Sequence, residues 1–455
     1  MHSETQPKHN NAVRVFRVFR GYLPLLALWL ALPALAEAQD TTRIPTGVEL
    51  IGRYNVAKRP LIAVRPVASA AEHASAAGTV TQILKQDLDY SDRFEMGEVP
   101  AGLATGSIDY RRWNSLNVWY LVAAALSPAA SGYSLQLDLH DVVYANKKHS
   151  ATYQLPSANA ADFRLAVHRI SDEIVKLITN QPGAAATRIA FIRRAGRGYE
   201  LVAVDYDGAN PQRIVTSPTM IYSPAWSPDG RKIAYAVRNA SARVELHERD
   251  LATGRVRVIS SRPELSYTPA YSPNGKRLAF AVSVGGTYTE INDYDLEQGC
   301  CVRRISRGPR YDLNPTYSPD GTRIAFLSDR VGSPHIFVMP AEGGSASMLT
   351  PYNTERVKFT APSWSPTSSE IAFSGQSRGG FQIMIADARR PGVAKQVTSS
   401  GDNEDPSWAP DGRHIVFSST GTGGSGLYVI DTVTGRRRQV IAGSRLRTPE
   451  WSQRF

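Results

Sequence analysis

Two short glycine-containing motifs in the C-terminal half of the chain match patterns that carry catalysis or nucleotide binding in other proteins. Residues 375–379 (Gly-Gln-Ser-Arg-Gly) match the nucleophile pattern of serine hydrolases, which requires a strand, a sharp turn and then a helix. Residues 421–426 (Gly-Thr-Gly-Gly-Ser-Gly) match the dinucleotide-binding pattern, which requires a strand–helix–strand unit. In both cases a strand-like apolar run follows instead of a helix. We therefore expect two hairpin loops and predict no catalytic residue.

Acidic residues are the remaining candidates for metal chemistry. Residues 205–208 (Asp-Tyr-Asp-Gly) begin like a calcium-binding loop, but the further ligands of such a loop do not follow, which favours a turn. The nine histidines show no spacing typical of a metal site. Residues 402–405 (Asp-Asn-Glu-Asp) precede a predicted innermost strand, where a bound cation is the alternative to a solvated loop or a protein contact. We predict neither a metal nor another cofactor.

The elements that position these loops form an internal repeat of about 45 residues. Its signature is Pro-x-aromatic followed by Ser-Pro-Asp-Gly, as in residues 224–230. The aromatic positions are Trp226, Tyr271, Tyr317, Trp364, Trp408 and Trp451. A triplet resembling Ile-Ala-Phe follows each of the first five aromatics, and a sixth copy at residues 189–191 precedes the first. The two counts therefore match at six but are offset by one strand.

This repeat predicts a six-bladed β-propeller. Ser-Pro-Asp-Gly is typical of a tight turn, so it joins the aromatic strand to the Ile-Ala-Phe strand as a hairpin. Alternation places Ile and Phe on one face and a small Ala on the other, where a neighbouring sheet can approach closely. Two further strands complete each unit, and an open array or a β-sandwich is the alternative. Because of the offset, we expect residues 449–452 to close the ring as the innermost strand of the first blade.

Residues 39–183 lack the repeat and predict a small α/β domain that precedes the propeller, which is expected over residues 184–455. The predicted elements are a buried strand at 61–64, helices at 79–88 and 160–179, a strand or short helix at 118–125, and a hairpin of 133–144 with 150–155. Residues 180–186 contain Pro-Gly and are the predicted linker. The adjacent Cys300 and Cys301 are expected to be ordinary strand-end residues, because a disulfide between neighbours lies far from the usual geometry.

The first 38 residues have the pattern of a secretory signal, with a basic leader, an apolar run over residues 22–35 and Ala-Glu-Ala at residues 36–38. A bilayer-spanning helix needs about 20 apolar residues, so a membrane anchor is the less favoured alternative. The chain has 52 Lys and Arg against 41 Asp and Glu. Because an exported protein rarely meets nucleic acid, this charge favours an acidic protein or the anionic envelope as partner over nucleic acid. A soluble basic surface without such a partner is the alternative.

The repeat combined with this N-terminal domain resembles the TolB family of the Tol-Pal system. The most specific stretches are residues 171–175 (Ser-Asp-Glu-Ile-Val) and 187–191 (Thr-Arg-Ile-Ala-Phe), followed by the Pro-x-Trp-Ser-Pro-Asp-Gly units. The resemblance implies a non-enzymatic, monomeric adaptor in the periplasm, peripheral to the membrane and without a transmembrane span once the signal is removed. It also implies support of outer-membrane integrity and constriction at cell division. The alternatives are a secreted propeller enzyme or ligand-binding protein that uses the channel for a sugar or peptide, and a scaffold without Tol partners.

The resemblance also implies two binding regions, and we hypothesise that they are coupled to each other through the interface between the domains. A Pal-type peptidoglycan-associated lipoprotein would dock where the chain enters the innermost strands of the propeller. The implied residues are Tyr222, Ser266, Tyr267, Thr268, Asp312, Leu313, Asn314, Thr360, Glu404, Asp405 and Thr448. A TolA-type inner-membrane protein would bind residues 39–47, and the implied residues there are Asp40, Thr41, Thr42, Arg43 and Ile44.

Overall fold

The computed structural model describes residues 59–260, 266–308, 310–351, 358–377, 380–421 and 423–454. In this part, the chain forms one five-stranded sheet with flanking helices, followed by six four-stranded sheets. The predicted fold class, a six-bladed β-propeller preceded by a small α/β domain, is therefore confirmed. The predicted signal peptide and the predicted TolA-type binding segment lie outside the described residues.

The α/β domain contains three α-helices and two short 3-10 turns beside its sheet. The elements are β1 (Leu61–Val64), α1 (Ala74–Tyr90), β2 (Glu95–Gly97), α2 (Tyr110–Ser115), β3 (Tyr120–Ala129), β4 (Gly132–Asp141), β5 (Asn146–Pro156) and α3 (Phe163–Thr179), with the turns at Ala71–His73 and Ala101–Leu103. The strand order is β2-β1-β3-β4-β5, in which β1 is parallel to both of its neighbours. Helices α1 and α3 share one core on one face of the sheet, and Trp113 of α2 is fully buried in the other core.

The elements predicted for this domain are found, and one ambiguity is resolved. The helix predicted at 79–88 lies within α1, the helix predicted at 160–179 corresponds to α3, which begins at Phe163, and the predicted hairpin is β4 paired with β5. Of residues 118–125, predicted as a strand or a short helix, residues 120–125 belong to strand β3. Ile62 pairs with Tyr120 and Val64 with Val122, so pairing with β1 selects the extended conformation of this apolar run.

Within the described ranges, the propeller has 24 strands. They are β6 (Arg188–Ala195), β7 (Gly198–Asp205), β8 (Gln212–Ser217), β9 (Ile221–Trp226), β10 (Lys232–Arg238), β11 (Val244–Asp250), β12 (Val256–Ser260), β13 (Ser266–Tyr271), β14 (Arg277–Val284), β15 (Tyr288–Asp295), β16 (Cys300–Arg304), β17 (Asp312–Tyr317), β18 (Arg323–Ser328), β19 (His335–Pro340), β20 (Ser347–Met348), β21 (Phe359–Trp364), β22 (Glu370–Ser377), β23 (Gly380–Asp387), β24 (Ala394–Gln396), β25 (Asp402–Trp408), β26 (His414–Thr420), β27 (Gly426–Asp431), β28 (Arg437–Ala442) and β29 (Arg447–Trp451). Blade 1 is β6–β8 with β29, and blades 2 to 6 take four consecutive strands each from β9 to β28.

The Ser-Pro-Asp-Gly segments form the predicted tight turns between the first two strands of a blade. In blade 2, the amide of Gly230 donates to the carbonyl of Ser227 at 2.9 Å, as in a type I turn. The hydroxyl of Ser227 donates to Asp229 at 2.6 Å, and Gly230 has a φ of 68°. The same serine contact recurs with Asn274 in blade 3 and Asp320 in blade 4. We call the end of the ring that carries these turns the turn face.

Neighbouring blades pack through the small residue of the repeated triplet, as the sequence predicts. Ala325 of blade 4 lies in one core with Ile371 and Phe373 of blade 5, all fully buried. The equivalent residue of blade 6 is Val416, which shares a core with Ile189 and Phe191 of blade 1. The small side chain of each triplet thus packs against the two large side chains of the triplet in the next blade.

The last strand closes the ring in the predicted manner. Strand β29 pairs antiparallel with β6 as the innermost strand of blade 1. The indole nitrogen of Trp451 donates to the hydroxyl of Thr187 at 2.7 Å, and the amide of Arg188 donates to the hydroxyl of Ser452 at 2.9 Å. This pairing joins residues far apart in sequence and leaves blade 1 without an open inner edge.

The two cysteines depart from the prediction. Cys300 and Cys301 form a disulfide, with their Cα atoms 3.8 Å apart, so the expectation of ordinary strand-end residues is wrong. Neighbouring side chains of an extended strand point to opposite faces. Cys301 has a φ of 68° and so leaves the extended conformation, which allows both sulfur atoms to lie on one side. The pair is exposed on β16, the outermost strand of blade 3.

We predict that Ala325→Leu lowers the free energy of unfolding by about 1–3 kcal/mol, because added methyl groups cannot fit between blades 4 and 5. Ala240→Leu, in the exposed loop between β10 and β11, provides the control and should change the stability by less than about 0.5 kcal/mol. Chemical unfolding of both variants measures the difference. Equal stabilities would mean that blade contact does not depend on the small residue.

Candidate functional site

The innermost strands β9, β13, β17, β21, β25 and β29 all begin at the end of the ring opposite the turn face, and we call that end the mouth. The eleven residues implied for Pal-type docking all lie in the first four residues of these strands. The structure therefore brings them together at the mouth. Leu265, which precedes β13, lies outside the described residues.

A backbone irregularity recurs in each of the six strands at the mouth. The residue before the proline of each Pro-x-aromatic unit has a φ between 35° and 54°. These residues are Ser223, Thr268, Asn314, Ala361, Asp405 and Thr448. The pairing register of the innermost strand shifts at the same place in every blade. Such β-bulges re-aim side chains and are found next to functional sites. Nothing in the spacing of the sequence motifs indicates this conformation.

Hydrogen bonds between blades use some of the polar side chains at the mouth. Thr268 accepts a hydrogen bond from the amide of Asn314, and Asp405 accepts one from the amide of Thr448, both at 3.1 Å. Deeper in the channel, the hydroxyl of Ser407 accepts from the amide of Trp451 at 2.9 Å. Thr268 and Asp405 therefore help to hold adjacent strands in place as well as lining the mouth.

Two of the implied docking residues are buried, which corrects the expectation that they contact a partner directly. Ser266 is 0% exposed and its hydroxyl lies 3.1 Å from that of Ser260. Asp312 is 1% exposed and accepts hydrogen bonds from the guanidinium group of Arg330 at 3.1 Å. The other nine implied residues are half-buried, and the rings of Tyr222 and Tyr267 meet edge to face with centroids 5.9 Å apart.

Two depressions of different charge adjoin each other at the mouth, the first between blades 1 and 2 and the second between blades 6 and 1. The first, of about 490 Å³, has an apolar lining that includes Ile192, Tyr199 and Tyr222, and its charged residues are Arg194, Arg445 and Arg447. The second, of about 510 Å³, contains Asp402, Glu404 and Asp405 and shares Arg445 and Arg447 with the first. Arg194 and Arg445 were not among the predicted site residues. Both are exposed in the structure.

Two carboxyl groups in the acidic depression have raised pKa values. Burial raises the pKa of Glu404, and the neighbouring charges of Asp405 and Asp402 raise it further, while Arg447 opposes this shift. Burial also raises the pKa of Asp405, although the amide of Thr448 and the charge of Arg447 lower it. The arrangement can accept hydrogen bonds or a positive charge from a partner on one side and a negative charge on the other.

The channel behind the mouth encloses about 620 Å³ and contains one unusual carboxyl group. The residues that follow the prolines of the six innermost strands are Ala225, Ala270, Thr316, Ser363, Ser407 and Glu450. Glu450 accepts a hydrogen bond from the hydroxyl of Ser407 at 3.2 Å. Desolvation raises the pKa of Glu450 to about 8, so its carboxyl group is largely protonated at neutral pH.

The α/β domain lies on the turn face, against blades 6 and 1. The hydroxyl of Tyr206, in the turn after β7, donates to Asp87 of α1 at 2.7 Å. Arg436, in the turn before β28, pairs with Asp89 at the end of α1 at 2.7 Å. The amide of Gly208 donates to the carbonyl of Asp205 at 2.8 Å, which confirms the turn predicted at 205–208. This turn is also part of the interface between the domains, which its sequence does not indicate.

The described residues of the two glycine motifs lie at or beside the paired ends of neighbouring strands, which agrees with the predicted hairpins. Strands β22 and β23 pair antiparallel up to Ser377 and Gly380, and β26 and β27 pair up to Ser419 and Gly426. A strand follows each motif where a catalytic or nucleotide-binding site would need a helix. As for membrane insertion, none of the helices within the described ranges is both long enough and apolar enough to span a bilayer.

Comparison with known proteins identifies the family. The family model of the TolB beta propeller domain matches residues 175–455, and that of the TolB amino-terminal domain matches residues 52–148. The Tol-Pal system protein TolB of Methylococcus capsulatus is 36% identical over 254 residues, which are 54% of this chain and 55% of that protein. The protein of the same name from Albidiferax ferrireducens is 36% identical over 184 residues, covering 40% of this chain and 42% of that protein.

The chain thus spans about half the length of these curated relatives. Among solved structures, the crystal structure of TolB from Acinetobacter baumannii has a TM-score of 0.76 at 27% identity, covering 87% of this chain and 97% of that chain. The closed ring, with an α/β domain on one face and a polar mouth at the other, defines a two-domain propeller protein. By the family match across its propeller, the chain belongs to the TolB family.

We predict that Glu450→Gln stabilises the protein increasingly from pH 5 to pH 9. Because the folded protein raises the pKa of Glu450, the folded state favours the neutral carboxyl group. The contribution of Glu450 to the free energy of unfolding is therefore fully present below its unfolded-state pKa and is lost as the pH rises towards about 8. The variant avoids this loss, so its melting temperature should exceed that of the wild type by about 2 °C at pH 9 and match it at pH 5. Glu98→Gln, at an exposed position of the α/β domain, is the control. A constant difference across the pH range would contradict the prediction.

Proposed function

We propose that this protein is a non-enzymatic periplasmic adaptor of the Tol-Pal system. It binds a Pal-type peptidoglycan-associated lipoprotein at the propeller mouth and links it to the inner-membrane Tol complex. Through this link, it maintains outer-membrane integrity and supports constriction during cell division. It acts as a monomer, peripheral to the membrane, and does not bind nucleic acid.

The single observation that carries this proposal is the mouth of the ring, which no other part of the described ranges covers, whereas the α/β domain packs on the opposite face. Nine half-buried residues of the predicted set line this mouth, beside an apolar depression with three arginines and an adjacent acidic one. Half-buried aromatic and charged side chains around a concave surface are typical of protein interfaces. Membership in the TolB family, whose curated relatives are named Tol-Pal system proteins, supplies the chemical class of the partner.

The charges at the mouth define which charged groups a complementary partner should present. A segment that places an apolar or aromatic anchor in the first depression and an acidic group near Arg194 and Arg445 would be complementary there. A basic group of the same partner would be complementary to Glu404 in the second depression. Charge complementarity of this kind sets orientation and association rate more than total affinity.

We predict that Arg445→Glu and Glu404→Lys each weaken binding of the soluble domain of the same organism's Pal-type lipoprotein by about tenfold or more, which corresponds to about 1.4 kcal/mol. Isothermal titration calorimetry of residues 39–455 measures the dissociation constants. Arg231→Glu makes the same charge change at an exposed position on the turn face and should leave binding unchanged. Binding that responds to Arg231 and not to the mouth variants would place the site elsewhere. The absence of any binding between the folded wild-type proteins would refute the adaptor function.

A second prediction concerns the N-terminal segment, for which we propose TolA-type binding by Asp40, Thr41, Thr42, Arg43 and Ile44. If the segment and the mouth are coupled through the domain interface, deletion of residues 39–47 changes the affinity for the Pal-type lipoprotein by about fivefold or more. The same calorimetric titration, performed with and without the segment, tests this. Identical dissociation constants would rule out the coupling and leave mouth binding unaffected.

A further inference from the structure

A buried histidine connects the two domains. His414, the first residue of β26, is 2% exposed, and its two ring nitrogens contact carboxylates from different domains. Its Nδ1 atom lies 2.6 Å from Asp411, in the turn before β26, and its Nε2 atom lies 3.1 Å from Asp92, between α1 and β2. Asp92 is completely buried, and Asp411 is 7% exposed. The imidazole therefore bridges the α/β domain and the propeller in the interior of the protein.

This geometry fits a protonated ring. A neutral imidazole donates one hydrogen bond, and its other nitrogen presents a lone pair. With a carboxylate oxygen beside each nitrogen, a neutral ring would turn that lone pair towards one of them, whereas an imidazolium donates to both. Burial alone lowers the pKa of His414, but the charge of Asp411 and hydrogen bonds to Asp411 and Asp92 outweigh it and raise the pKa. The same pairing holds the pKa of Asp411 well below its usual range, against the effect of burial.

The charged groups packed around this bridge come from both domains. From the propeller, Arg413 bonds Asp431 with its Nε atom at 2.8 Å and donates to the backbone carbonyl of Asp92 at 2.9 Å. Two further arginines, from the turn before β28 and from β28 itself, reach the carboxylate of Asp92. They are Arg436 at 3.2 Å and Arg438 at 3.3 Å. From the α/β domain, Arg59 lies 4.0 Å from Asp92.

Arginine keeps its charge over the whole physiological range, so the imidazole is the group of this cluster whose ordinary pKa lies near neutral pH. His168 of α3 is a second histidine at the interface, 2.8 Å from Asp87, and it faces Asp207 and Arg164. Burial lowers the pKa of His168, but the charge of Asp87 and the hydrogen bond to it outweigh this effect and raise the pKa. Its contribution to any pH response must therefore be measured separately.

We propose that His414 is a proton-dependent latch between the two domains: the imidazolium ties Asp92 of the α/β domain to Asp411 of the propeller, and loss of its proton weakens the docking of the domains. This inference concerns the chain itself and does not depend on the adaptor function. The direction follows from linkage, because a histidine with a raised pKa stabilises the docked state below about pH 6.5 and loses that contribution as the pH rises through the raised value. Docking is therefore tight in mildly acidic conditions and weaker in alkaline ones.

Hydrogen–deuterium exchange of the full chain tests the latch, with rates corrected for the intrinsic effect of pH and read in the interface segment of residues 89–95. In the wild type, protection of this segment falls by about tenfold between pH 6 and pH 9, as the imidazolium loses its proton. In His414→Gln, protection of residues 89–95 is already low at pH 6. The pH dependence that remains in this variant equals the part that His168→Gln removes from the wild type. His335→Gln is the matched control, because His335 is a buried histidine of blade 4 beside Thr350, and it should behave as the wild type.

Wild-type protection that stays constant from pH 6 to pH 9 would overturn the proposal, and so would a His414→Gln variant that keeps the full pH dependence. If this variant does not fold, nuclear magnetic resonance of the ring nitrogens in the wild type decides the question. An imidazolium signal for His414 that persists above pH 6.5 supports the latch, and a neutral ring at pH 6 refutes it.

Discussion

The structure depends on the close approach of neighbouring blades. A single four-stranded sheet with apolar side chains on both faces cannot bury them alone, and each blade buries one face against the next. The approach is set by a small residue opposite a large pair, as with Ala325 against Ile371 and Phe373. Because six such contacts must close a circle, the last strand has to return to the first blade, and Trp451 anchors it there through Thr187. All six innermost strands therefore begin at one mouth.

The closed ring separates two polar surfaces that have different chemistry. On the turn face, carboxylates such as Asp92 and Asp87 are buried and paired with groups of both domains, which makes that surface an internal interface. At the mouth, Arg445 and Glu404 line open depressions instead. The cost of burying charge without partners explains why both of these carboxylates have partners on the turn face. A surface that remains open can keep its charges for an external partner.

Several residues at the domain interface also have a role in local structure. Asp411 occupies a turn position of the repeat, and Asp205 lies in the turn predicted at 205–208. Both also take part in contacts around the α/β domain. Their local role is visible in the sequence, whereas their second role needs a partner from α1 or α3. The α/β domain thus uses turns that the propeller would form in any case, with histidines and arginines added around them.

The sequence by itself determined the number of blades, the tight turns, the small-to-large packing and the return of the last strand, because these follow from local periodicity and turn chemistry. It also indicated which strand ends share the mouth. The tertiary structure decided which of those residues are accessible: Asp312 is buried by Arg330, which lies in the loop after β18. It also decided the bridge from Asp92 to His414, which are 322 positions apart. Contacts at such separations depend on how whole domains pack, and no local spacing encodes them.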